Sequence, residues 1–173
     1  MLHTTGANCA VGQDANVWFL AGTFATGAVA RECMVPAGTA MLVPVINLVY
    51  CAFAEDAPET RAEAYVRSQV AIVRNGAAGL SLTVDGKPVR RVTYEESELF
   101  SVTLPEDNLF GLPAETEVGP CADAGYYALL PPLPVGEHTI RIQGTLDAAG
   151  LRVDVTYRIT VAPRAEVARA SED

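Results

Sequence analysis

Residues able to do chemistry are few in this chain. Its two histidines are His3 and His138. That excludes a His-rich metal centre. A serine or cysteine triad would need His138 and a nucleophile in no recognisable elbow. His138 opens the run Gly-Glu-His-Thr-Ile after a proline-rich corner, where an imidazole can order the preceding turn. His3 has no definable partner. Carboxylates are more numerous. Glu95, Glu96 and Glu98 cluster before a strand, and Glu106-Asp107-Asn108 follow Pro105. A carboxylate pair can do acid–base work on a sugar, and carboxylate oxygens can ligate calcium. The plainer reading is a solvated charge run and an ordinary turn. Leu109 and Phe110, large and apolar inside that loop, are expected to plug the end of the domain. No cofactor motif is present, and no metal site is read.

Aromatic pairs offer a different chemistry. Neighbouring side chains on a strand take opposite faces. One member each of Trp18/Phe19 and Tyr126/Tyr127 should therefore face outward or into another layer. Exposed aromatics on a sheet can stack sugar rings, and Asn47 and Tyr50 could line such a patch. The alternative is core packing with an edge aromatic.

These residues need a scaffold, and its plainest part is the C-terminal third. Leu151, Val153, Val155, Tyr157, Ile159 and Val161 alternate with polar residues, which puts one apolar face on a strand. His138–Ile142 alternates before it. A greasy-faced ladder needs a second sheet to cover it. Upstream, 17–21, 28–35 and 39–46 read as strands, with a turn at Pro36-Ala37-Gly38. Pro44 within the third argues for an edge or a bulge. Thr60 and Glu63 have the spacing of a capping box. Ala62, Val66, Val70 and Val73 follow at helical spacing, and Asn75-Gly76 is a left-handed stop. One amphipathic helix over about 60–75 is expected. Strands resume at 80–84, turn at Asp85-Gly86, and return over 87–92. Further strands are expected at 99–104 and 126–130, with a polar stretch over 114–122. The pattern is an all-β antiparallel sandwich, immunoglobulin-like or jelly-roll and of Greek-key type, with one helix. It forms a single domain over 1–163 with a flexible charged tail at 164–173.

With 173 residues the chain can bury a sizeable core unaided. Its formal charge is −9, and its eleven Arg and one Lys never cluster, so nucleic-acid binding lacks its footprint. No apolar run reaches transmembrane length. Four cysteines, Cys9, Cys33, Cys51 and Cys121, are separated by 24, 18 and 70 positions and fit no zinc pattern. An even, well-spaced set points to two disulfides and an oxidising compartment. Three pairings are possible; Cys9–Cys33 with Cys51–Cys121 is favoured, since the first would tie the N-terminal segment to the next strand. Buried free thiols are the alternative. No signal peptide opens the chain, so the chain is either cytosolic or a mature or truncated form.

Four segments carry a resemblance: Gly6–Phe24 (GANCAVGQ, NVWFLAGTF), Arg31–Asn47 (RECMVPAGTAMLVPVIN), Leu104–Ala114 (LPEDNLFGLPA) and Asp123–Ile140 (DAGYYALLPPLPVGEHTI). In order and spacing they resemble a poorly characterised family of bacterial proteins that often bear signal peptides. The resemblance covers about residues 5–161 and implies export, with no activity to carry over. It implies that an N-terminal segment is missing here.

The leading expectation is an exported, non-enzymatic sandwich that binds a carbohydrate or protein at the cell envelope or outside the cell. The alternative is a small enzyme acting on a polysaccharide or small molecule, with carboxylates and tyrosines as acid–base groups. A third reading is an assembly protein. An enzyme should bring Glu106 or Asp107 to Tyr126 or His138 in a concave pocket. A binding module should show a flat aromatic face or an exposed strand edge. The sequence does not define an oligomeric state.

Overall fold

The computed structural model describes residues 5–13, 16–23 and 27–163. The expectations for His3 and for the tail at 164–173 lie outside the described residues. Among the described residues ten strands form two sheets, with one α-helix beside them and a short 3-10 turn at Asp147–Ala149. The strands are β1 (Val17–Phe19), β2 (Val29–Pro36), β3 (Ala40–Cys51), β4 (Ala77–Val84) and β5 (Lys87–Pro88), then β6 (Thr93–Glu96), β7 (Phe100–Thr103), β8 (Glu117–Leu130), β9 (Gly136–Leu146) and β10 (Leu151–Ala162); α1 is Glu63–Gly76. The first sheet runs β1-β3-β8-β6, with β7 also on β8, and the second runs β2-β10-β9-β4-β5. The pairs are antiparallel except β1 on β3 and β2 on β10. The β-sandwich with one amphipathic helix is thus the observed architecture.

Period-two patterning builds the core. On β10, Val153, Val155, Tyr157, Ile159 and Val161 are buried, and Ile140, Ile142 and Leu146 of β9 join them. On the first sheet, Met41, Val43 and Val45 of β3, side by side with Ala128 and Leu130 of β8, point into the same core. The register shifts between Pro44 and Ile46, which is the bulge that Pro44 argued for. After it, Ile46, Leu48 and Tyr50 continue the inward face.

One inward-phase residue is not apolar. On β2 the buried series is Val29, Arg31, Cys33 and Val35, and Arg31 is only 4% exposed. Its Nη1 donates to the carbonyls of Ala21 and Gly22, both at 2.8 Å, and to the Tyr157 hydroxyl at 2.7 Å. Tyr157 in turn donates to the Ala21 carbonyl at 2.7 Å. These bonds fasten the segment that crosses from β1 in one sheet to β2 in the other.

β3 and β8 outrun the second sheet, and α1 covers what is left. Val66 and Val70 pack on Ala52, Ala122 and Ala124, with Tyr50, Tyr94 and Leu99 around them. The helix differs from expectation at both ends. Thr60 does not cap it; its Oγ1 donates to the Ala57 carbonyl at 2.8 Å within a preceding turn. Ala62 is the N-cap and offers no side-chain bond. Glu63 is the first helical residue, where a negative charge suits the positive end of the helix, and it pairs with Arg67 one turn on, at 2.7 Å. Asn75-Gly76 is not a left-handed stop either. The chain passes from Gly76 straight into an extended Ala77. A Cβ at Gly76 would lie 2.9 Å from Leu146 Cδ1, so a larger residue there would displace the end of that side chain.

Other differences concern strand limits. β8 spans 14 residues, including the stretch read as polar. Its polar members face outward while Val118, Ala122 and Ala124 face in. The return after Asp85-Gly86 is two residues of strand, and Thr93–Glu96 forms a strand of its own on β8. Both disulfides form, Cys9–Cys33 and Cys51–Cys121. The second joins directly opposed residues of β3 and β8, with Cα atoms 4.0 Å apart.

If α1 is held by its buried stripe, truncating Val70 to Ala should cost about 2 kcal/mol of unfolding free energy. Ile72→Ala, on the exposed side, should stay within about 0.5 kcal/mol. Urea unfolding of the two oxidised variants measures this; equal losses would mean that the helix does not seal the sheet.

Candidate functional site

The structure distributes the predicted site residues over four places. Tyr50 and Tyr126 face inward. Tyr50 meets Tyr65 of the helix edge-on, with centroids 6.0 Å apart. Tyr126 packs edge-on against Tyr94 at 5.3 Å, and its hydroxyl donates to the Arg74 carbonyl at 2.9 Å. That carbonyl lies in the last helical turn, where intrahelical donors run out. Arg74 also lies over the Tyr94 ring at 4.2 Å and pairs with Glu96 at 3.0 Å. The bond from Arg74 holds the Glu96 carboxyl below its usual range. Asn47 and Tyr50 do not share a patch: they are three apart on one strand and so take opposite faces.

The loop at 105–111 lies at the other end of β8. Main-chain bonds of 2.9 Å between Leu104 and Thr116 and between Glu115 and Leu104 close its base, beside Glu117. From there to Tyr127 the strand runs about 30 Å, so neither Glu106 nor Asp107 reaches Tyr126 or His138. Asn108 organises the loop. Its Nδ2 donates to the carbonyls of Pro105 and Leu112, at 3.0 and 2.7 Å, and its Oδ1 accepts from the amides of Phe110 and Leu112. Leu109 does not plug the sandwich; it is 62% exposed. Phe110 rests edge-on against Phe53 at 5.1 Å.

His138 sits at the corner where β8 hands over to β9. Its Nδ1 lies 2.8 Å from Asp85 Oδ2 and its Nε2 lies 2.9 Å from the Pro134 carbonyl. Asp85 Oδ1 accepts the Thr139 amide at 2.8 Å. Both partners of the ring are acceptors, so both ring nitrogens must donate. The bond to Asp85 accordingly raises the His138 pKa, and the Asp85 carboxyl is lowered by the same bond. The imidazole staples the β4–β5 turn to the proline corner.

Asn47 and Tyr127 do come together, on the outer face of the first sheet. Asp123 lies between them: Asn47 Nδ2 donates to Asp123 Oδ2 at 2.7 Å, and the Tyr127 hydroxyl donates to Oδ1. Burial, with the adjacent carboxylate second, pushes the Tyr127 phenol far above its usual value. Gly125, opposite Asn47, makes the cluster possible, since a Cβ there would fall 2.4 Å from Asn47 Cβ. Asp123 was not singled out in the sequence. The available signal was an aspartate among strand formers, where Asp is depleted.

Beside this cluster, β3 is an open edge. β1 pairs only with 40–42. Ala52 exchanges main-chain bonds with Pro120 and Gly119 of β8, at 3.0 and 3.1 Å. By alternation Tyr50 and Leu48 also address β8, and Asn47, Val49 and Cys51 direct their N–H and C=O groups away from it. No strand pairs there among the described residues. In the facing sheet, β2 joins β10 from Val155 onward, and among the described residues no strand pairs with Leu151–Asp154 on that side. A groove of about 390 Å³ lies between the two edges, lined by Pro44, Leu48 and Val49 on one wall and by Leu151 and Val153 on the other. Asn47 and the segment Ala21 to Thr23 line it as well.

No group of three or more His, Cys, Asp or Glu among the described residues could hold a metal ion. No described helix is long and apolar enough to cross a membrane. Comparison with protein-family models and with curated proteins finds no match.

The His138–Asp85 pair gives a pH signature. With the folded His138 pKa raised, its contribution to stability is complete below about pH 6.5, provided Asp85 is ionised. It is lost as pH rises through the folded value. Asp85, depressed, contributes above about pH 4 and loses this as pH falls through its own folded value. The urea midpoint of the wild type should therefore exceed that of His138→Gln by more at pH 5.5 than at pH 8.5. A gap independent of pH would rule out the charged staple.

Proposed function

We propose that this chain is an exported bacterial recognition domain, non-enzymatic, that binds an extended polypeptide segment along the free edge of β3. The observation that carries the reading is the edge of β3 at Asn47 and Val49: by alternation their main-chain groups point away from β8, no strand pairs with them among the described residues, and both residues line the groove. An added strand satisfies such groups, and alternate side chains supply specificity. The apolar walls favour alternating apolar residues in the ligand. The net charge of −9 favours basic residues flanking them. Two disulfides support export, as does the resemblance to signal-peptide-bearing bacterial proteins. Sugar stacking has less behind it. Trp18 is buried, Tyr127 is tied to Asp123, and the exposed rings Phe19 and Phe110 lie on separate elements.

A phage-displayed library of random 12-residue peptides, panned on the oxidised domain, tests this. Enrichment should favour alternating apolar residues flanked by Lys or Arg. Val49→Pro removes one outward N–H without touching the β8 ladder, and should weaken the selected peptides at least tenfold while leaving the thermal midpoint nearly unchanged. Failure to enrich, or peptides that bind the proline variant equally well, would refute strand addition.

A further inference from the structure

The sequence contains one pair of adjacent basic residues, Arg90-Arg91, and the fold places it on a crossing between the sheets. β5 is the last strand of the second sheet and β6 ends the first. Residues 89–92 join them and belong to neither helix nor strand. Both arginines are exposed. Neither their main chain nor their guanidiniums find a hydrogen-bond or ion-pair partner among the described residues. The anchors on either side are short. β5 holds to β4 through two residue pairs, and the Val89 amide donates to the Leu82 carbonyl at 2.9 Å. Val89 and Val92 rest half-buried against the core. Lifting this stretch costs those contacts and leaves the long ladders intact, so it opens more readily than the domain unfolds.

The other basic residues are held differently. Arg31, Arg141, Arg152 and Arg158 lie in strands, and Arg67 and Arg74 lie in α1. Arg61 is folded into a turn. Its amide donates to the carbonyls of Ala57 and Pro58, both at 3.3 Å, and its Nη1 donates to the Ala54 carbonyl at 3.2 Å. Lys87 precedes Pro88, a bond that trypsin-like enzymes do not cut. Such enzymes seat an arginine or lysine over an aspartate in their S1 pocket, and nicking falls on exposed backbone outside the regular elements. Among the described residues, the stretch at Arg90-Arg91 alone joins a cuttable basic residue to irregular backbone without a turn to hold it.

We propose that this crossing is a cleavage site for a trypsin-like serine endoprotease, and that the cut protein persists as a folded domain of two chains. The site makes no use of the β3 edge. Water adds across the Arg91–Val92 peptide bond: the C–N bond breaks, Arg91 gains a carboxylate and Val92 an ammonium. No strand pairing is lost. β5 pairs with β4, both upstream of the cut, and β6 pairs with β8, both downstream. Each sheet then holds strands of both fragments, β3 on β8 in one, and β2 on β10 with β4 on β9 in the other. Cys51–Cys121 links the fragments covalently, whereas Cys9–Cys33 lies within the upstream one.

Brief digestion of the oxidised protein with trypsin, followed by mass spectrometry, tests this. Within residues 5–163 the first cut should fall after Arg90 or Arg91. The product should run as one band on a denaturing gel without reductant and as two bands after reduction. Its circular dichroism should match that of the uncut chain. Arg90→Gln combined with Arg91→Gln should slow the first cut within 5–163 at least tenfold. A first cut elsewhere in that range would overturn the proposal. So would equal cutting of the double variant, or loss of the dichroism signal once the bond is broken. Resistance of the wild type under conditions that digest the reduced, unfolded chain would also sink it.

Discussion

Two long strands lying side by side, β3 and β8, set the constraint on which the rest of the molecule depends. At 12 and 14 residues they extend about 40 Å, and their inward face is apolar along most of that length. The second sheet covers the part from Met41 to Leu48 and from Tyr126 to Leu130. It cannot also cover Ala52, Ala122 and Ala124. Those positions are small because a helix, not a strand layer, lies on them. Val66 and Val70 approach the alanines closely, and Tyr50 and Tyr94 fill the sides. The Cys51–Cys121 bridge fixes the ladder where that sealed section ends. A bridge closing so long a loop also narrows the unfolded ensemble.

The same length mismatch produces the edges. β1 offers three residues to a strand of 12, so among the described residues no strand pairs with most of β3 on that side. Pro44 has no N–H to offer, and the bulge at Pro44/Ile46 twists the edge where β1 ends. Both are devices that discourage indiscriminate pairing. They protect the first part of the edge and leave Asn47 to Cys51 unprotected, with Val49 half exposed at its centre.

Much of this was legible from the alternation alone. Leu151 to Val161 could hardly be anything but a strand with one buried face, and Pro44 announced its bulge. The disulfide pairing followed from which segments needed tying. What misled was chemistry that two structures can share. Thr60 and Glu63 have capping-box spacing, but Thr60 is spent in an earlier turn. Asn75-Gly76 has the composition of a helix stop, yet the chain runs straight on from Gly76 into an extended Ala77. The polar look of 114–122 hid half of β8, because residues facing outward on an outer sheet look like loop. Asp123 was invisible for a related reason: its two partners, Asn47 and Tyr127, are brought to it only by the β3–β8 register. Arg31 could have been noticed, since it breaks the apolar phase of Val29, Cys33 and Val35.

The polar side chains that attract attention in this sequence are mostly consumed by connections. A sandwich whose chain crosses repeatedly between sheets must fasten each crossing, because a loop leaving a strand exposes main-chain groups that the ladder no longer satisfies. His138 and Asp85 hold the crossing at the Pro134 corner. Tyr126 closes the end of α1 as it turns into β4. Asn108 satisfies the loop between β7 and β8. Arg31 and Tyr157 hold the crossing after β1: from a buried position on β2, Nη1 of Arg31 reaches the carbonyls of Ala21 and Gly22 and the Tyr157 hydroxyl. The length of the arginine side chain is what lets one residue of the second sheet fasten the segment that leaves the first.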